Sequence, residues 1–312
     1  MSDRTFLVVN PRSAAGAVGR QWKELAVTIR AAYGAFEHAF TTAPRDATRL
    51  ARQALRDGYG MIVAVGGDGT MNEVVNGFFL GGKVVNPDAI LGEVPMGTGG
   101  DFRKTAGIPK EVGAAAAALR GTATMRVDIG RLSLVDGGGR PAERYFINIA
   151  SFGIGGLVDS IVNSSPKLLG GKASFLLATA RAAVRFKNQT VRLTLDGGKP
   201  MERRIYNVAV ANGRYFGGGM HIAPQATLDD GLFDVVALGD FSMAEVTFRI
   251  RHVYAGTHLG LPKVEHWKAR HVVAEPVYPA DKVLLDVDGE QPGSLPSTFD
   301  LLPAAIKLKV PG

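Results

Sequence analysis

Five apolar residues, 61–65, run directly into a glycine-rich stretch and then into a segment with helical spacing. A strand that is apolar at every position is typical of a parallel sheet, because helices cover both of its faces. Two strand patterns, 5–9 and 35–40, and two helical patterns, 21–32 and 44–56, precede it. This alternation predicts an open parallel sheet in the first third of the chain.

Two glycine-rich turns follow neighbouring strands of this predicted sheet. The first, GGDGT at 66–70, leads into a helix for which Thr70 and Glu73 predict a capping box. The second, MGTGGDF at 96–102, follows an apolar strand at 88–95. Loops after parallel strands share the edge of the sheet where ligands bind, and bare N–H groups at helix starts attract phosphate. The two turns therefore predict a phosphate-binding site.

The first turn fits neither of the common nucleotide motifs. The chain has no Gly-x-x-x-x-Gly-Lys-Ser/Thr string, and Asn72 stands where a dinucleotide motif has glycine. The turn also contains a carboxylate, Asp68, which repels phosphate unless a cation lies between them. Asp101 and Asp128 follow two other apolar segments, so all three acids are candidates to hold Mg²⁺. The alternative is that Asp68 and Asp101 cap helix N-termini.

From about residue 126 the pattern changes to alternating strands separated by hairpin turns, such as Asp196-Gly197-Gly198. This pattern predicts an antiparallel β-sandwich. We expect an α/β N-terminal domain with a Rossmann-like parallel sheet at 1–127 and a β-sandwich C-terminal domain at 128–298. The segment 299–312 is a candidate to return to the first domain.

Two helical patterns interrupt these strands. One, at 242–255, begins with the capping-box residues Ser242 and Glu245. The other, at 166–187, has five basic residues and no acidic one. A cationic amphipathic helix suits an anionic membrane surface. The alternative is that its apolar side packs on the sandwich while its charges face water.

A further acidic group occurs near the C-terminus in the sequence DVDGEQPG. If a strand continues through it, Asp286, Asp288 and Glu290 project from one face. Like charges on one face raise proton affinity, as a general base requires. The alternative is a hairpin turn at Asp288 and Gly289 with solvated neighbours.

Composition excludes several classes of chemistry. The 312 residues include no cysteine, so disulfides, zinc–thiolate sites and thiol catalysis are impossible. The six histidines lack His-Glu-x-x-His spacing, and Ser151 lacks the preceding glycine of a nucleophile elbow. The net charge of +7 suits an anionic partner. The sequence contains no nucleic-acid-binding motif, so we do not expect the protein to bind nucleic acid. The N-terminus lacks a secretory or membrane-spanning segment, so we expect a cytoplasmic protein.

These motifs together resemble the diacylglycerol kinase catalytic family and its bacterial lipid-kinase relatives, which include sphingosine and ceramide kinases. The matching stretches run in order along nearly the whole chain: VVNPRSAAG, GGDGTMNEVVNG, PMGTGGDFRKTAGIP, DIG, NIASFGIGG, LDDGLFDVV and DVDGE. The stretch at 66–77 is the most specific of them. One departure is Gly100, because the family block Gly-Thr-x-Asn-Asp-Phe-Ala-Arg has asparagine there.

The resemblance implies a role for each group of residues. Asp288 is expected to be the general base, with Glu290 assisting it. The expected metal ligands are Asp68, Asp101 and Asp128 near the phosphates and Asp230 of LDDGLF at a separate structural Mg²⁺. The residues expected to contact ATP are Asn10, Gly66, Gly67, Asp68, Gly69, Thr70, Glu73, Gly97 and Thr98.

The implied reaction transfers the γ-phosphoryl group of ATP to a lipid hydroxyl, first of all from diacylglycerol to phosphatidic acid. Other acceptors stay open: a sphingoid base, another long-chain alcohol, or NAD, whose kinases share GGDGT. A non-catalytic lipid- or nucleotide-sensing protein is the alternative from another class. The expected partners are a lipid substrate, an anionic membrane touched peripherally and, as an open alternative, a second copy in a homodimer.

Overall fold

The computed structural model describes residues 4–136, 138–158 and 186–312. The chain divides into two compact units, of which the first comprises Met1–Ile129 and Pro303–Gly312 and the second Gly130–Leu302. The predicted cationic helix at 166–187 lies outside the described residues except for its last two positions.

The first unit contains a parallel sheet with helices on its faces. Its strands, in chain order, are β1 (Thr5–Val9), β2 (Glu37–Phe40), β3 (Met61–Gly66) and β6 (Ile90–Pro95), with a small hairpin of β4 (Phe79–Leu80) and β5 (Lys83–Val84). Its helices are α1 (Ala17–Arg20), α2 (Trp22–Ala32), α3 (Asp46–Arg56), α4 (Asp68–Gly77), α5 (Asp101–Ala106) and α6 (Val112–Arg120). The strand order β6-β3-β1-β2 is parallel throughout, which confirms the predicted sheet.

Helices cover the central strand β3 on both sides, as its apolar sequence predicted. On one face, Val63 and Val65 pack with Ile29 of α2 and Leu119 of α6. On the other face, α4 packs closely against α3. Gly77 permits this approach, because an added Cβ there would lie 2.6 Å from the Ala51 Cβ.

The helix after the first glycine turn begins earlier than predicted. It starts at Asp68, and no side chain caps it. Glu73 instead accepts the backbone N–H groups of Arg45 at 3.0 Å and Ala47 at 3.1 Å, at the start of α3. The capping box predicted from Thr70 and Glu73 is therefore wrong, because the Glu73 carboxylate faces a neighbouring helix rather than its own.

The second unit is an antiparallel β structure. Its strands, two of which extend beyond the unit, are β7 (Thr124–Val135), β8 (Pro141–Phe146), β9 (Ile149–Gly153), β10 (Gln189–Leu195), β11 (Met201–Ile205), β12 (Asn207–Ala211), β13 (Phe233–Leu238), β14 (Val264–Ala269), β15 (His271–Pro276), β16 (Leu285–Val287) and β17 (Ser297–Lys309). One sheet has the order β14-β13-β12-β9-β16, and β11-β10-β15-β17 form a second antiparallel ladder. Phe152 and Phe233 from the first sheet share a core with Val191 and Phe299 from the second. This arrangement confirms the predicted antiparallel domain.

One helix of the second unit, α7 (Met243–Ala255), begins as predicted. The Ser242 side chain accepts the Glu245 N–H, and Glu245 accepts the Ser242 N–H in return, so the capping box is confirmed. Of the helices in the described part of the chain, none has the length and apolar character needed to cross a membrane.

Two long strands carry the chain between the units. β7 begins in the first unit and ends in the second, and β17 returns to the first. In the first unit, Lys307 and Leu308 of β17 pair in parallel with Ile90 and Leu91 of β6. The C-terminal residues thus complete the sheet that the N-terminal residues begin.

Candidate active site

Asp68 joins the two glycine turns of the first unit. Its Oδ2 accepts the Gly100 N–H at 2.8 Å, and its Oδ1 accepts those of Asp101 at 2.9 Å and Phe102 at 3.2 Å. These are amides at the start of α5. Asp68 therefore caps a helix that begins 33 residues further along the chain, not the helix to which it belongs.

The start of α4 differs from the start of α5. Among the described residues, no side chain accepts the first-turn amides of α4, whereas those of α5 are occupied by the Asp68 carboxylate. Unpaired N–H groups and the positive end of the helix dipole both attract anions. The first turn can accept a phosphate, while the second already holds an internal anion.

The two turns approach each other backbone to backbone. A Cβ on Gly97 would lie 2.6 Å from the Gly67 Cα, and a Cβ on Gly99 would lie 2.9 Å from the Asp68 Oδ2. Side chains at these positions would force the turns apart. The glycines thus let the Asp68 carboxylate reach the second turn.

The residues predicted to contact nucleotide fall into two groups. Asn10, at the end of β1, donates from Nδ2 to the Thr70 Oγ1 at 3.0 Å, and Thr98 is exposed in the second turn. Because β1, β3 and β6 are adjacent and parallel, these residues and the glycines lie at one edge of the sheet. Both carboxylate oxygens of Glu73, in contrast, accept amides of α3.

The other acids predicted in this unit have protein partners. Asp101 is buried, and the Lys104 Nζ lies 2.7 Å from its Oδ1. Asp128, on β7, is also buried, and its Oδ1 accepts the Ala304 N–H at 2.7 Å. Ala304 has a φ of 48°, so Asp128 supports β17 at a backbone kink. Burial, and then the negative charge of Asp101, raise the pKa of Asp68 against its three backbone hydrogen bonds.

One acidic residue at this edge of the sheet, Glu93, was not predicted from the sequence to be part of the site. It lies on β6 with only 2% of its surface exposed, and its Oε2 has no hydrogen-bond partner. Burial and, after it, the charge of Asp68 raise the pKa of Glu93 to about 8, against the opposing charge of Arg103. The available signal was a carboxylate inside the apolar strand sequence ILGEVP.

The donors at this edge fit Mg²⁺ that arrives with a nucleotide. Among the described residues, no group of three or more His, Asp or Glu side chains could hold a metal ion by itself. Mg²⁺ usually takes one or two carboxylates and fills its other positions with water and substrate phosphates. The carboxylates of Asp68, Asp101 and Glu93 provide hard oxygen donors. Burial and, after it, repulsion by a neighbouring carboxylate raise the pKa values of Asp68 and Glu93, and a cation would relieve that repulsion.

In the second unit, the DVDGE segment forms a turn. Strand β16 ends at Val287, so the interpretation that placed Asp286, Asp288 and Glu290 on one continuing strand is wrong. Asp288 and Gly289 have φ values of 48° and 87°, and N–H···O bonds link Val287 and Glu290 in both directions. The predicted hairpin turn is confirmed, because two consecutive positive φ values reverse the chain. Its neighbours are not both solvated as that alternative expected, since Asp286 is buried.

This turn holds the Asp288 carboxylate in one position. Its Oδ1 accepts the Ile149 N–H at 2.9 Å and its Oδ2 the Ile147 N–H at 3.2 Å. Asp286 accepts the Ser151 hydroxyl at 3.2 Å and is buried, whereas Glu290 is exposed. The turn therefore separates two acids that are fixed in place from one that faces solvent.

Asp230 of the LDDGLF loop lies beside a lysine. Its Oδ1 accepts the Leu232 N–H at 3.1 Å, and the Lys268 Nζ lies 2.7 Å from its Oδ2. The same ammonium is 3.5 Å from the Asp234 Oδ2. The structure thus places a protein cation on Asp230, and the metal role of this residue stays a prediction.

Comparisons with known proteins agree with this architecture. Residues 4–132 match the diacylglycerol kinase catalytic domain, and residues 148–310 match the YegS C-terminal NAD kinase beta sandwich-like domain. A diacylglycerol kinase of Bacillus subtilis (strain 168) is 32% identical over 304 residues, or 95% of this chain and 92% of its own. That of Staphylococcus carnosus (strain TM300) is 29% identical over 311 residues, or 100% and 96%.

A solved structure from Bacillus anthracis str. Sterne has the same fold, with a TM-score of 0.75, 23% identity, and coverage of 99% of this chain and 97% of its own. Together the matches define a phosphotransferase whose acceptor is an alcohol group. The chain belongs to the diacylglycerol kinase family.

We predict that Asp68→Ala exposes the first amides of α5 to solvent. Loss of the carboxylate removes the acceptor of three backbone N–H groups, and each 1.4 kcal/mol lost corresponds to tenfold faster exchange. Hydrogen exchange at residues 100–102 should speed up by about tenfold or more, as followed by mass spectrometry. The control is Glu111→Ala, because Glu111 caps α6 through Gly113 and Ala114 and should change exchange only there. Unchanged exchange at 100–102 in Asp68→Ala would contradict the assigned cap.

We also predict that Glu93→Gln changes the pH dependence of stability. The folded-state pKa of Glu93, about 8, exceeds the unfolded value of 4.5, so the folded wild type loses stability as pH rises between them. The limit is about 1.4 kcal/mol per pH unit. Urea unfolding without Mg²⁺ or nucleotide should show Glu93→Gln gaining on the wild type between pH 5.5 and 8.

Glu111→Gln is the matched control for this measurement. Hydrogen bonds from the amides of Gly113 and Ala114 lower the pKa of Glu111, so its stabilising effect is lost only as pH falls below the unfolded value of 4.5. Its difference from the wild type should stay flat over the same pH interval. Parallel curves for Glu93→Gln and the wild type would show that the Glu93 pKa is not raised.

Proposed function

We propose that this protein transfers the γ-phosphoryl group of ATP to the hydroxyl of diacylglycerol, yielding phosphatidic acid. The observation that carries the proposal is the uncapped start of α4 beside a second turn already neutralised by Asp68. Such a pair offers one phosphate position at the edge of a parallel sheet. The full-length similarity to proteins named diacylglycerol kinase supports the acceptor.

In this proposal the first unit binds the nucleotide. Amides at Gly67, Gly69 and Thr70 donate to phosphate oxygens, and Asn10 fixes the Thr70 hydroxyl through its hydrogen bond. The further nucleotide contacts are assigned to Gly66, Asp68, Glu73, Gly97 and Thr98. Of these, Glu73 acts through α3, whose first amides it holds.

Mg²⁺ would be held by the Asp101 and Asp68 carboxylates, with Asp128 in the surrounding network. When bound, the cation neutralises the phosphate charge that the carboxylates alone would repel. The protein itself positions these groups: Lys104 orients Asp101, and three amides orient Asp68.

Asp288 is the proposed general base. Two amides hold its carboxylate, so little conformational freedom is lost when it accepts the proton of the acceptor hydroxyl. Glu290, exposed at the end of the same turn, assists it. We assign the lipid site to the second unit and the structural metal to Asp230, and we propose peripheral contact of the cytoplasmic protein with anionic membranes.

NAD is the second candidate acceptor. It is favoured by the match of residues 148–310 to a family described as NAD kinase beta sandwich-like. A sphingoid base or another long-chain alcohol would use the same phosphoryl-transfer groups. These acceptors differ in what must fill the acceptor site, so a comparison of the acceptors in one assay is the appropriate test.

The test is an acceptor panel with radiolabelled ATP and the purified protein. Diacylglycerol, ceramide, sphingosine and a polyprenol are presented in mixed micelles and NAD in solution, and the labelled product is identified by mass. We expect label in phosphatidic acid. Label in another product would replace the acceptor, and a protein that binds ATP but labels nothing would be a sensing protein rather than a kinase.

We predict that Asp288→Asn lowers kcat by about 10²- to 10⁴-fold, because an amide cannot accept the proton. ATP binding, measured by calorimetry, should stay within twofold of the wild type. Glu290→Gln is the comparison variant and should have a smaller effect on kcat. If Asp288→Asn loses ATP binding and keeps kcat at saturating ATP, Asp288 belongs to the nucleotide site and the base lies elsewhere.

A further inference from the structure

The side chain of Arg103 lies over Gly100 in the second glycine turn. Gly100 has a φ of 60°, and a Cβ built on it would stand 2.7 Å from the Arg103 Nε and 3.2 Å from its Cδ. Arg103 thus fills the space into which a side chain at position 100 would extend. The two residues are a sterically matched pair.

Arg103 also differs from its neighbour Lys104 in how its charge is balanced. Lys104 forms a 2.7 Å ion pair with Asp101. Among the described residues Arg103 forms no ion pair, although its charge acts on the buried Glu93 and opposes the rise that burial causes in the Glu93 pKa. Its hydrogen bond there runs from Nη1 to the Ile108 carbonyl oxygen and is long, at 3.5 Å. The half-buried guanidinium therefore keeps most of its five N–H donors for another acceptor.

The surroundings of Arg103 indicate what that acceptor is. Gly100 donates its N–H to Asp68, which ties the Arg103 turn to the uncapped start of α4. A guanidinium suits phosphate because its fork of donors matches two oxygens at once. The Arg103 guanidinium lies at the second glycine turn, and the uncapped start of α4 lies at the first. Both favour the same kind of ligand, a phosphate anion.

We propose that Arg103 binds the nucleotide by donating hydrogen bonds to its phosphate oxygens, and that Gly100 leaves space for the Arg103 side chain. The inference rests on the proposed function, which places nucleotide phosphates at these turns.

The first test measures ATP affinity by calorimetry. Arg103→Ala should weaken binding by tenfold or more, and Arg103→Lys should recover part of the loss because it restores the charge without the fork. Lys110→Ala, which removes one exposed positive charge from the same unit, should stay within twofold. In the kinase assay, the KM for ATP should rise in Arg103→Ala while the KM for the lipid stays unchanged.

A double-mutant cycle tests the pairing with Gly100. Gly100→Ala should weaken ATP binding both by displacing Arg103 and by straining a residue whose φ is 60°. The part that acts through Arg103 is already lost in Arg103→Ala, so the double variant should lose less than the sum of the two single losses. Thermal unfolding of each variant shows that it is folded under the binding conditions. Additive losses would overturn the steric pairing.

Two outcomes separate this inference from the proposed function. A wild-type protein that binds no ATP overturns both. A wild-type protein that binds ATP, together with an Arg103→Ala variant that binds within twofold of it, overturns the role of Arg103 alone and leaves the nucleotide site standing.

Discussion

The Asp68 carboxylate determines how the nucleotide edge of the first unit is organised. A buried carboxylate is costly unless it is hydrogen-bonded, and Asp68 obtains three amides from the start of α5. That demand brings the two turns together and requires glycine where they touch, at Gly67 and Gly97. A residue that would repel phosphate in its own loop thus caps the neighbouring helix start, and the start of α4 is the proposed anion site.

The sequence predicted those parts of the fold that depend on local periodicity. The apolar sequence of β3 identified a parallel sheet, because a strand buried on both faces is apolar at every position. The alternation after residue 126 identified an antiparallel domain, because a strand buried on one face alternates apolar and polar residues. Partners far apart in the chain leave no such pattern. Glu73 has the right spacing to cap its own helix but caps α3, since three-dimensional proximity decides between them.

At the candidate site, similarity to the family motifs identified which residues to consider but did not predict the local structure around them. The role of Asp288 as the base stays a prediction, whereas the strand expected to continue through it was wrong, because Asp288 and Gly289 have positive φ values. The amides that hold its carboxylate belong to distant Ile147 and Ile149, which leave no signal in the local sequence. Glu93 was missed because a motif records expected positions and Glu93 belongs to none. A charged residue within an apolar strand was the signal to follow. Arg103 lies within the matched stretch PMGTGGDFRKTAGIP, but that similarity assigned no role to it.

The return of β17 to the first unit also governs the order in which the chain can be completed during synthesis. The ribosome releases the N-terminal residues first, so β6 can pair with β3, but it obtains its second hydrogen-bonded neighbour only when Lys307 and Leu308 emerge. Until then one edge of the nascent sheet has unpaired backbone groups, which are a site for wrong pairing. Every residue of the second unit is made before the first unit is whole, so a truncated translation product lacks a finished nucleotide-binding sheet.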